Sequence, residues 1–394
     1  MDYTTGATTP IWLETAAVDS KPTLPRQVQA DVCVVGAGIA GLTTAYLLAR
    51  EGRSVVVIDD GGIGSGETSR TTAHLVSALD DRYFEIERLH GETGARLAAE
   101  SHSQAIDRIE TIVRDEGIAC EFERLDGYLF VQKGEDPEDL DREREAATRA
   151  RLEVELLPRV PGLDFNTGPC LRFARQAQFH PMRYLDGLVQ AIEARDGRVY
   201  TGSHVSVFED GVPCRIETTD GCRVTSDAIV VATNTPVNDR VTIHTKQAAY
   251  RTYVVGLAIQ RDVVPRALFW DTGDPYHYVR LARGAGGEDV LIVGGEDHKT
   301  GQADDADERF TRLVEWSRGR FPATSRVLYR WSGQVMEPID SLAFIGRNPG
   351  DRHTYIATGD SGNGMTHGTI AGILLTDLIV GRENAVDAGH GQRR

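Results

Sequence analysis

The segment DVCVVGAGIAGLTTAYLLAREGRSVVVID, residues 31–59, constrains this chain more than any other stretch. A β-branched run, Val32–Val35, leads into Gly36, Gly38 and Gly41, spaced G-x-G-x-x-G. Leu42–Arg50 then has helical composition, and Ser54–Ile58 reads as a second buried strand, which together make a βαβ unit. The first glycine permits a tight turn, the second lets a pyrophosphate approach the backbone, and the third lets helix and strand pack closely. Phosphates then sit on the unpaired N–H groups of the helix start, where Ile39 and Ala40 lie. Asp59, with Asp60 after it, ends the second strand, where a carboxylate can accept hydrogen bonds from a ribose. This much implies a dinucleotide and does not separate NAD from FAD.

Composition sets wider bounds. With 394 residues, 40% of them hydrophobic, the chain fits two interleaved domains better than one core. A net charge of −16 argues against nucleic acid or an anionic membrane as partner. The five cysteines, Cys33, Cys120, Cys170, Cys214 and Cys222, form no CxxC pair and no His-spaced set. No zinc or iron–sulfur site is therefore expected, and isolated cysteines of this kind suit a reducing compartment. Residues 1–27 are Thr- and Pro-rich, read as an extended arm over the surface, and lack a secretory signal. Apolar stretches such as Ile39–Ala49 fall short of the ~20 residues of a membrane span. The expectation is a cytoplasmic enzyme.

Along the chain, apolar spacing over 82–116 predicts one or two amphipathic helices, and the charge-dense stretch 134–158 a solvated helix. Strands are expected at Gly127–Gln132, Arg198–Phe208, Cys214–Thr219, Ala228–Ala232, Tyr253–Gln260, Tyr276–Leu281 and Val290–Gly294. A last βα-like segment runs from Thr354–Thr358 through a Gly-rich turn to a helix over Ile370–Val380.

Two segments point to FAD. The loop after Asp60 carries Gly64, Ser65, Gly66, Thr68, Ser69, Arg70, Thr71, Thr72, Ala73 and His74, small and polar enough to follow a pyrophosphate and ribityl chain. Near the C-terminus, Gly359, Asp360, Gly362, Asn363, Gly364, Met365, Thr366 and His367 form a glycine turn and a helix start. A helix beginning near Thr366 would aim its positive end at the N1/O2 side of a reduced flavin.

Over nearly all of residues 28–380 the chain resembles the FAD-dependent family of D-amino-acid oxidase, glycine oxidase and sarcosine oxidase. Besides the fingerprint, the resemblance rests on FHPMRYLDGLVQAIEARDGRVYTGSHV (179–205), DAIVVATN (227–234) and DSLAFIG (340–346). It implies that the Val205 backbone contacts the adenine, and that Ala232 and Thr233 end the second nucleotide-side strand. GSGETSRTTAHL, DPYHY and GDSGNGMTHG are similar to a subgroup whose members often carry a C-terminal Rieske domain. The sequence given ends at Arg394 without a C-x-H…C-x-x-H pattern, so no built-in cluster is expected.

The fold so implied is α/β. A Rossmann-type FAD-binding domain of the glutathione-reductase-like type (28–85, 165–236, 330–380) is interleaved with an α+β substrate domain on a mostly antiparallel sheet (86–164, 237–329). The arm 1–27 and the tail 381–394 flank them. In such a family a flavin oxidises an amine by accepting a hydride equivalent at N5. The resemblance puts the substrate against strands Arg251–Gln260, Tyr276–Leu281 and Val290–Gly295. Alternation sets His277 on one face and Tyr276, Tyr278 and Arg280 on the other. Tyr278 matches the tyrosine that faces substrate in sarcosine oxidase, and Arg280 is expected to grip a carboxylate. Arg251 and Tyr253 are a second candidate pair, and His74 and His367 are candidates for tuning the flavin.

Two departures from sarcosine oxidase bear on chemistry. Ile292 falls where that enzyme has an oxygen-activating lysine, and no cysteine follows Cys222 for a covalent flavin link. The first reading is an FAD-dependent oxidoreductase converting a C–N bond of an amine or amino acid to an imine. It holds FAD non-covalently and passes electrons to dioxygen or another acceptor. A flavin dehydrogenase or tailoring enzyme on a larger biosynthetic intermediate is the second. The third, an electron-transfer flavoprotein without its own small substrate, predicts no open pocket beside the flavin.

Overall fold

Alternating runs of β-branched and helix-forming residues at the start of the chain build a parallel sheet, and longer alternating strands further on build a second one. The computed structural model describes residues 8–132, 138–238, 243–284 and 287–384. A short helix α1 (Ile11–Thr15) and strand β1 (Gln27–Gln29) precede the unit β2 (Val32–Val35), α2 (Ile39–Arg50) and β3 (Val55–Ile58). Strand β4 (His74–Leu75) is followed by α3 (Tyr83–Asp115), β5 (Glu123–Phe130), α4 (Glu138–Arg149), β6 (Val154–Leu157) and β7 (Cys170–Gln178). Helix α5 (Pro181–Glu193) leads to β8 (Arg198–Tyr200), β9 (Val205–Glu209), β10 (Cys214–Thr218), β11 (Arg223–Ser226) and β12 (Ala228–Val231). The second half holds β13 (Gln247–Gln260), β14 (Leu268–Asp271), β15 (His277–Arg283), β16 (Glu288–Lys299), α6 (Ala306–Arg320) and β17 (Thr324–Pro338). It closes with β18 (Phe344–Arg347), β19 (Thr354–Thr358) and α7 (Gly364–Val380).

Six strands form the first sheet, in the order β18-β19-β12-β2-β3-β8, parallel except at the β18 edge. Every residue of β2, β3 and β12 is buried, as expected of a parallel sheet covered on both faces. Helix α2 packs against this sheet, and α7, apolar nearly all round, packs on α2. Leu42 and Leu48 of α2 are fully buried and contribute roughly 1.5–3 kcal/mol each. A nine-stranded sheet runs β17-β13-β16-β15-β14-β5-β7-β4 with β6 on β7, antiparallel except where β14 meets β5. A small sheet, β1-β11-β10-β9, completes the fold. The α/β class and the interleaved arrangement are as expected.

Several expectations need correction. The N-terminal arm is not merely superficial: Ile11 and Trp12 of α1 are buried, and the Trp12 indole N–H donates to the Thr71 carbonyl at 2.7 Å. Arg198–Phe208 is two strands in different sheets, because Gly202 (φ +62°) and Ser203 turn back to donate to the carbonyls of Gly61 and Asp59. The charge-dense helix α4 is solvated on one face only. Its other face buries Leu140, Ala146, Ala147 and the Glu143 carboxylate, which accepts from the Tyr83 N–H at 2.7 Å; 133–137 lie outside the described residues. The amphipathic stretch 82–116 is as expected, two helical segments within α3 that meet at Gly91, whose φ +70° and ψ 170° are not helical. A boundary at residue 330 would cut β17, which is continuous, and β7 pairs with β5 in the second sheet rather than joining the first. Of the C-terminal tail, 385–394 lie outside the described residues. Among the described residues no helix is long and apolar enough to cross a membrane.

Candidate active site

The two large sheets meet at one continuous cavity of about 430 Å³. Its first wall is the fingerprint. Gly36 has φ +112°, and a Cβ there would stand 2.2 Å from the Ala232 carbonyl oxygen; at Gly41 a Cβ would meet the Gly36 oxygen at 1.9 Å. Only glycine lets strand, turn and helix close to this distance. Gly36, Gly38, Ile39 and Ala40 line the cavity, while Gly41 works from behind as the packing contact. Asp59 accepts from the Ala37 N–H at 2.6 Å and the Gly61 N–H at 2.8 Å, and burial raises its carboxyl. A carboxylate held by two amides keeps further lone pairs for a ribose. Asp60 lines the same end beside His204 (3.2 Å), with Val205, Ala232 and Thr233 across from it.

The loop 64–74 forms the next stretch of wall. Gly64, Ser65, Gly66, Thr68, Arg70, Thr71, Thr72 and His74 face the cavity. Ser69 turns inward, its hydroxyl donating to the Gly66 carbonyl (3.1 Å), and Ala73, at φ 60°, is buried. The Arg70 guanidinium donates to the Ser332 and Thr8 carbonyls, while the Trp331 indole donates to the Arg70 carbonyl at 2.8 Å. Opposite, Gly359, Asp360, Gly362, Asn363, Gly364, Met365 and His367 present the turn before α7. Thr366 lies behind it, with its hydroxyl 2.8 Å from His102 Nδ1. His367 Nδ1 is 2.7 Å from the Asp360 carbonyl, and its ring stands edge-on to His102 at 4.5 Å.

The third wall belongs to the antiparallel sheet. Thr252, Trp270, Tyr276, Tyr278 and Asp297 line it, and Val76, Ala78 and Asp80 close it from the other side. The Tyr278 and Thr252 hydroxyls are 2.6 Å apart, and Tyr276 donates to Asp80 Oδ2 at 3.0 Å. The two tyrosine rings lie 5.3 Å apart, and His74 meets Tyr278 edge-on at 5.9 Å. Gly294 pairs with Tyr278 across β15 and β16; a Cβ at Gly294 would fall 2.1 Å from the Tyr278 ring, so the missing side chain makes room for the tyrosine. Burial and the Arg280 charge pull His74 down to about 3, leaving a neutral imidazole. Burial pushes Asp80 up to about 6 and Asp297 up to about 7, and Asp80 adds to the shift on Asp297.

Four candidates do not reach this wall. Arg280 Nη1 donates to the carbonyls of Thr72, Ala73 and Phe179 at 2.7–3.1 Å, and its guanidinium lies over Trp12, so it braces the loop from outside the cavity lining, where a substrate carboxylate does not reach it. His277 faces the far side of the sheet, stacked on Trp316 (4.3 Å) with Nδ1 3.1 Å from Asp271. Thr252 takes the cavity-facing position of β13, which turns its neighbours away: Tyr253 stacks on His298, and Arg251 donates to Ser332 Oγ at 3.1 Å. Ile292, fully buried, packs in the main core.

Sequence reasoning missed Thr252, Trp270, Asp80 and Asp297. For Asp297 alternation fails, because Glu296 and Asp297 together oppose Thr252 between the Tyr253–Gly295 and Arg251–His298 pairs. This bulge, at Gly295 (φ +147°) and Glu296 (φ 60°), re-aims the acid into the cavity. The Gly-Gly pair before the acid was the available signal.

The model of the family described as FAD dependent oxidoreductase matches residues 31–378. The chain belongs to the FAD-dependent oxidoreductase family. It is 30% identical over 380 residues to the putative Rieske 2Fe-2S iron-sulfur protein YhfW of Bacillus subtilis, covering 96% of this chain and 74% of that one. It is 27% identical over 384 residues to the γ-glutamylputrescine oxidoreductase of Escherichia coli (93% and 87% covered). The solved glycine oxidase of Geobacillus kaustophilus superposes with a TM-score of 0.78 at 18% identity, covering 93% of this chain and 99% of that one, which shows a shared fold. For an FAD-dependent enzyme the fingerprint, the Asp59 carboxylate and the glycine turn before α7 are a fitting cradle, since all of them open onto one cavity.

Proposed function

We propose that this FAD-dependent oxidoreductase oxidises a C–N bond of an amine or amino acid to an imine, with FAD held non-covalently. The carrying observation is that the nucleotide cradle and the Tyr276–Tyr278 wall belong to one cavity, so a small molecule can reach the flavin. That continuity disfavours a flavoprotein without a substrate of its own. Bound FAD would supply the acceptor, at N5, for the hydrogen and electron pair leaving the substrate carbon. The protein's own share is orientation and proton handling. As the C–H bond breaks, the nitrogen lone pair forms C=N, and the proton that the ammonium first gives up needs a base. Asp80 and Asp297, held up to about 6 and about 7, are suited to take it near neutral pH. Tyr276 and Tyr278, raised by burial and the nearby acids, stay protonated and act as donors.

Non-covalent attachment is supported by the absence of a cysteine after Cys222, and a cytoplasmic setting by five free, buried thiols. A second reading of the acceptor is favoured by the apolar, buried Ile292: a dehydrogenase passing electrons to a quinone or protein rather than reacting fast with dioxygen. The test is spectroscopic. The purified holoprotein should show the ~450 nm flavin band, release it into the supernatant on acid precipitation, and bleach anaerobically with members of an amine and amino-acid panel. Flavin retained in the pellet contradicts non-covalent binding, and no bleaching by any member contradicts the activity. Re-admitting oxygen, or adding a quinone, then separates the two acceptors by reoxidation rate.

A further inference from the structure

We propose that the substrate is an aliphatic diamine or polyamine, whose ammonium group is held by Asp297 and Asp80 against Tyr276, Tyr278 and Trp270, and not an α-amino acid held by its carboxylate. This rests on the amine-oxidising reading and narrows it.

The first argument is charge. A carboxylate-bearing substrate needs a cation facing it. Among the described lining residues the basic side chains are Arg70, His74, His204 and His367. Arg70 is spent on backbone carbonyls, His74 is held neutral, His204 pairs with Asp60 at the nucleotide end, and His367 Nδ1 lies on the Asp360 carbonyl. Arg280, the residue best placed by sequence to grip a carboxylate, braces three carbonyls outside the cavity.

The second argument is an unmet valence. Asp297 Oδ1 is buried on the cavity wall with no hydrogen-bond partner among the described residues. A buried carboxylate oxygen left so costs free energy unless a ligand completes it. Asp80 meets Tyr276 through Oδ2 and stands near enough to raise Asp297. The cations that partly offset these acids lie outside the lining: Arg82 donates to the Asp271 carbonyl, and Arg309 to the Glu296 carbonyl and Asp305. Aromatic faces beside two acids are the usual surroundings of a bound organic ammonium. Two further acids, Asp360 and Glu67, face the same cavity, so a second positive charge along the substrate is also favoured.

The experiment is anaerobic calorimetric titration of the FAD-loaded protein with 1,4-diaminobutane, butylamine and 2-aminopentanoate, paired with the flavin spectrum. The diamine should bind at least about tenfold tighter than butylamine, and the amino acid more weakly than either. Asp297→Asn and Asp80→Asn should each weaken binding of both the diamine and butylamine by about tenfold or more, since both seat an ammonium there. Equal or tighter binding of 2-aminopentanoate overturns the proposal, as does a diamine affinity no better than that of butylamine, and neither comparison needs a variant to fold. Tight diamine binding without bleaching supports the pocket and contradicts the oxidation; bleaching by the amino acid alone keeps the oxidation and overturns the pocket.

Discussion

At the residue scale the fingerprint glycines were legible because their reason is steric and local, while the acids of the sheet wall were not. Gly36→Ala should yield folded protein with little or no bound flavin, since its Cβ would collide with the Ala232 carbonyl at a positive φ; flavin absorbance per protein checks it. Asp297 teaches the opposite lesson, because a bulge breaks the period-two count that placed its neighbours. Its effect on stability has a definite sign. A carboxyl raised from 3.8 to about 7 keeps its proton in the folded state while the unfolded chain loses its own, so stability falls as pH rises from about 4 to about 7. Asp80 and Asp360, near 6, and Glu337, near 8, act in the same direction. Denaturant midpoints of the protein without amine should therefore decline over that window. Asp297→Asn should flatten the decline and raise the midpoint at pH 8, even as it weakens amine binding.

Elements were read well where one face decides them and poorly where a partner does. The strand carrying Tyr276, His277, Tyr278 and Arg280 was found with the right alternation, yet two of its four side chains were given roles they do not fill. Alternation fixes which face a residue takes but not what stands opposite: Arg280 shares the Tyr278 side and meets Thr72, Ala73 and Phe179 carbonyls instead of open space. Tyr278→Phe should accordingly lower kcat/KM on the best amine several-fold with little change in melting temperature. His277→Ala, which unstacks Trp316 and leaves Asp271 Oδ2 without its imidazole contact, should cost stability and leave the flavin spectrum unchanged. Helix α1 was misread because its composition looks like an arm; only the tertiary contact of Trp12 with Thr71 makes it structural. Trp12→Ala should destabilise the protein by about 3–5 kcal/mol and speed flavin release, measurable by denaturant unfolding and by fluorescence of freed FAD.

On the scale of the whole molecule, the interleaving follows from the parallel sheet. Strands β2, β3 and β12 are continuous apolar runs that must be covered on both faces, by α2 on one and by the small sheet β1-β11-β10-β9 on the other, and the chain leaves that sheet to build the antiparallel one and returns to close it with β19 and α7. The cavity lies where these layers meet, with the nucleotide cradle on one and Tyr278 and Asp297 on the other. Motif reading reached the first wall almost complete and the second only in part, because the second is assembled from four strands whose register no local pattern states. The measurement that bears most directly on the central claim is anaerobic titration of the holoprotein with amines, followed at ~450 nm. Stoichiometric bleaching by at least one amine, with the corresponding imine or its hydrolysis product recovered, is the predicted result. A bound flavin that every amine and amino acid leaves oxidised would contradict it.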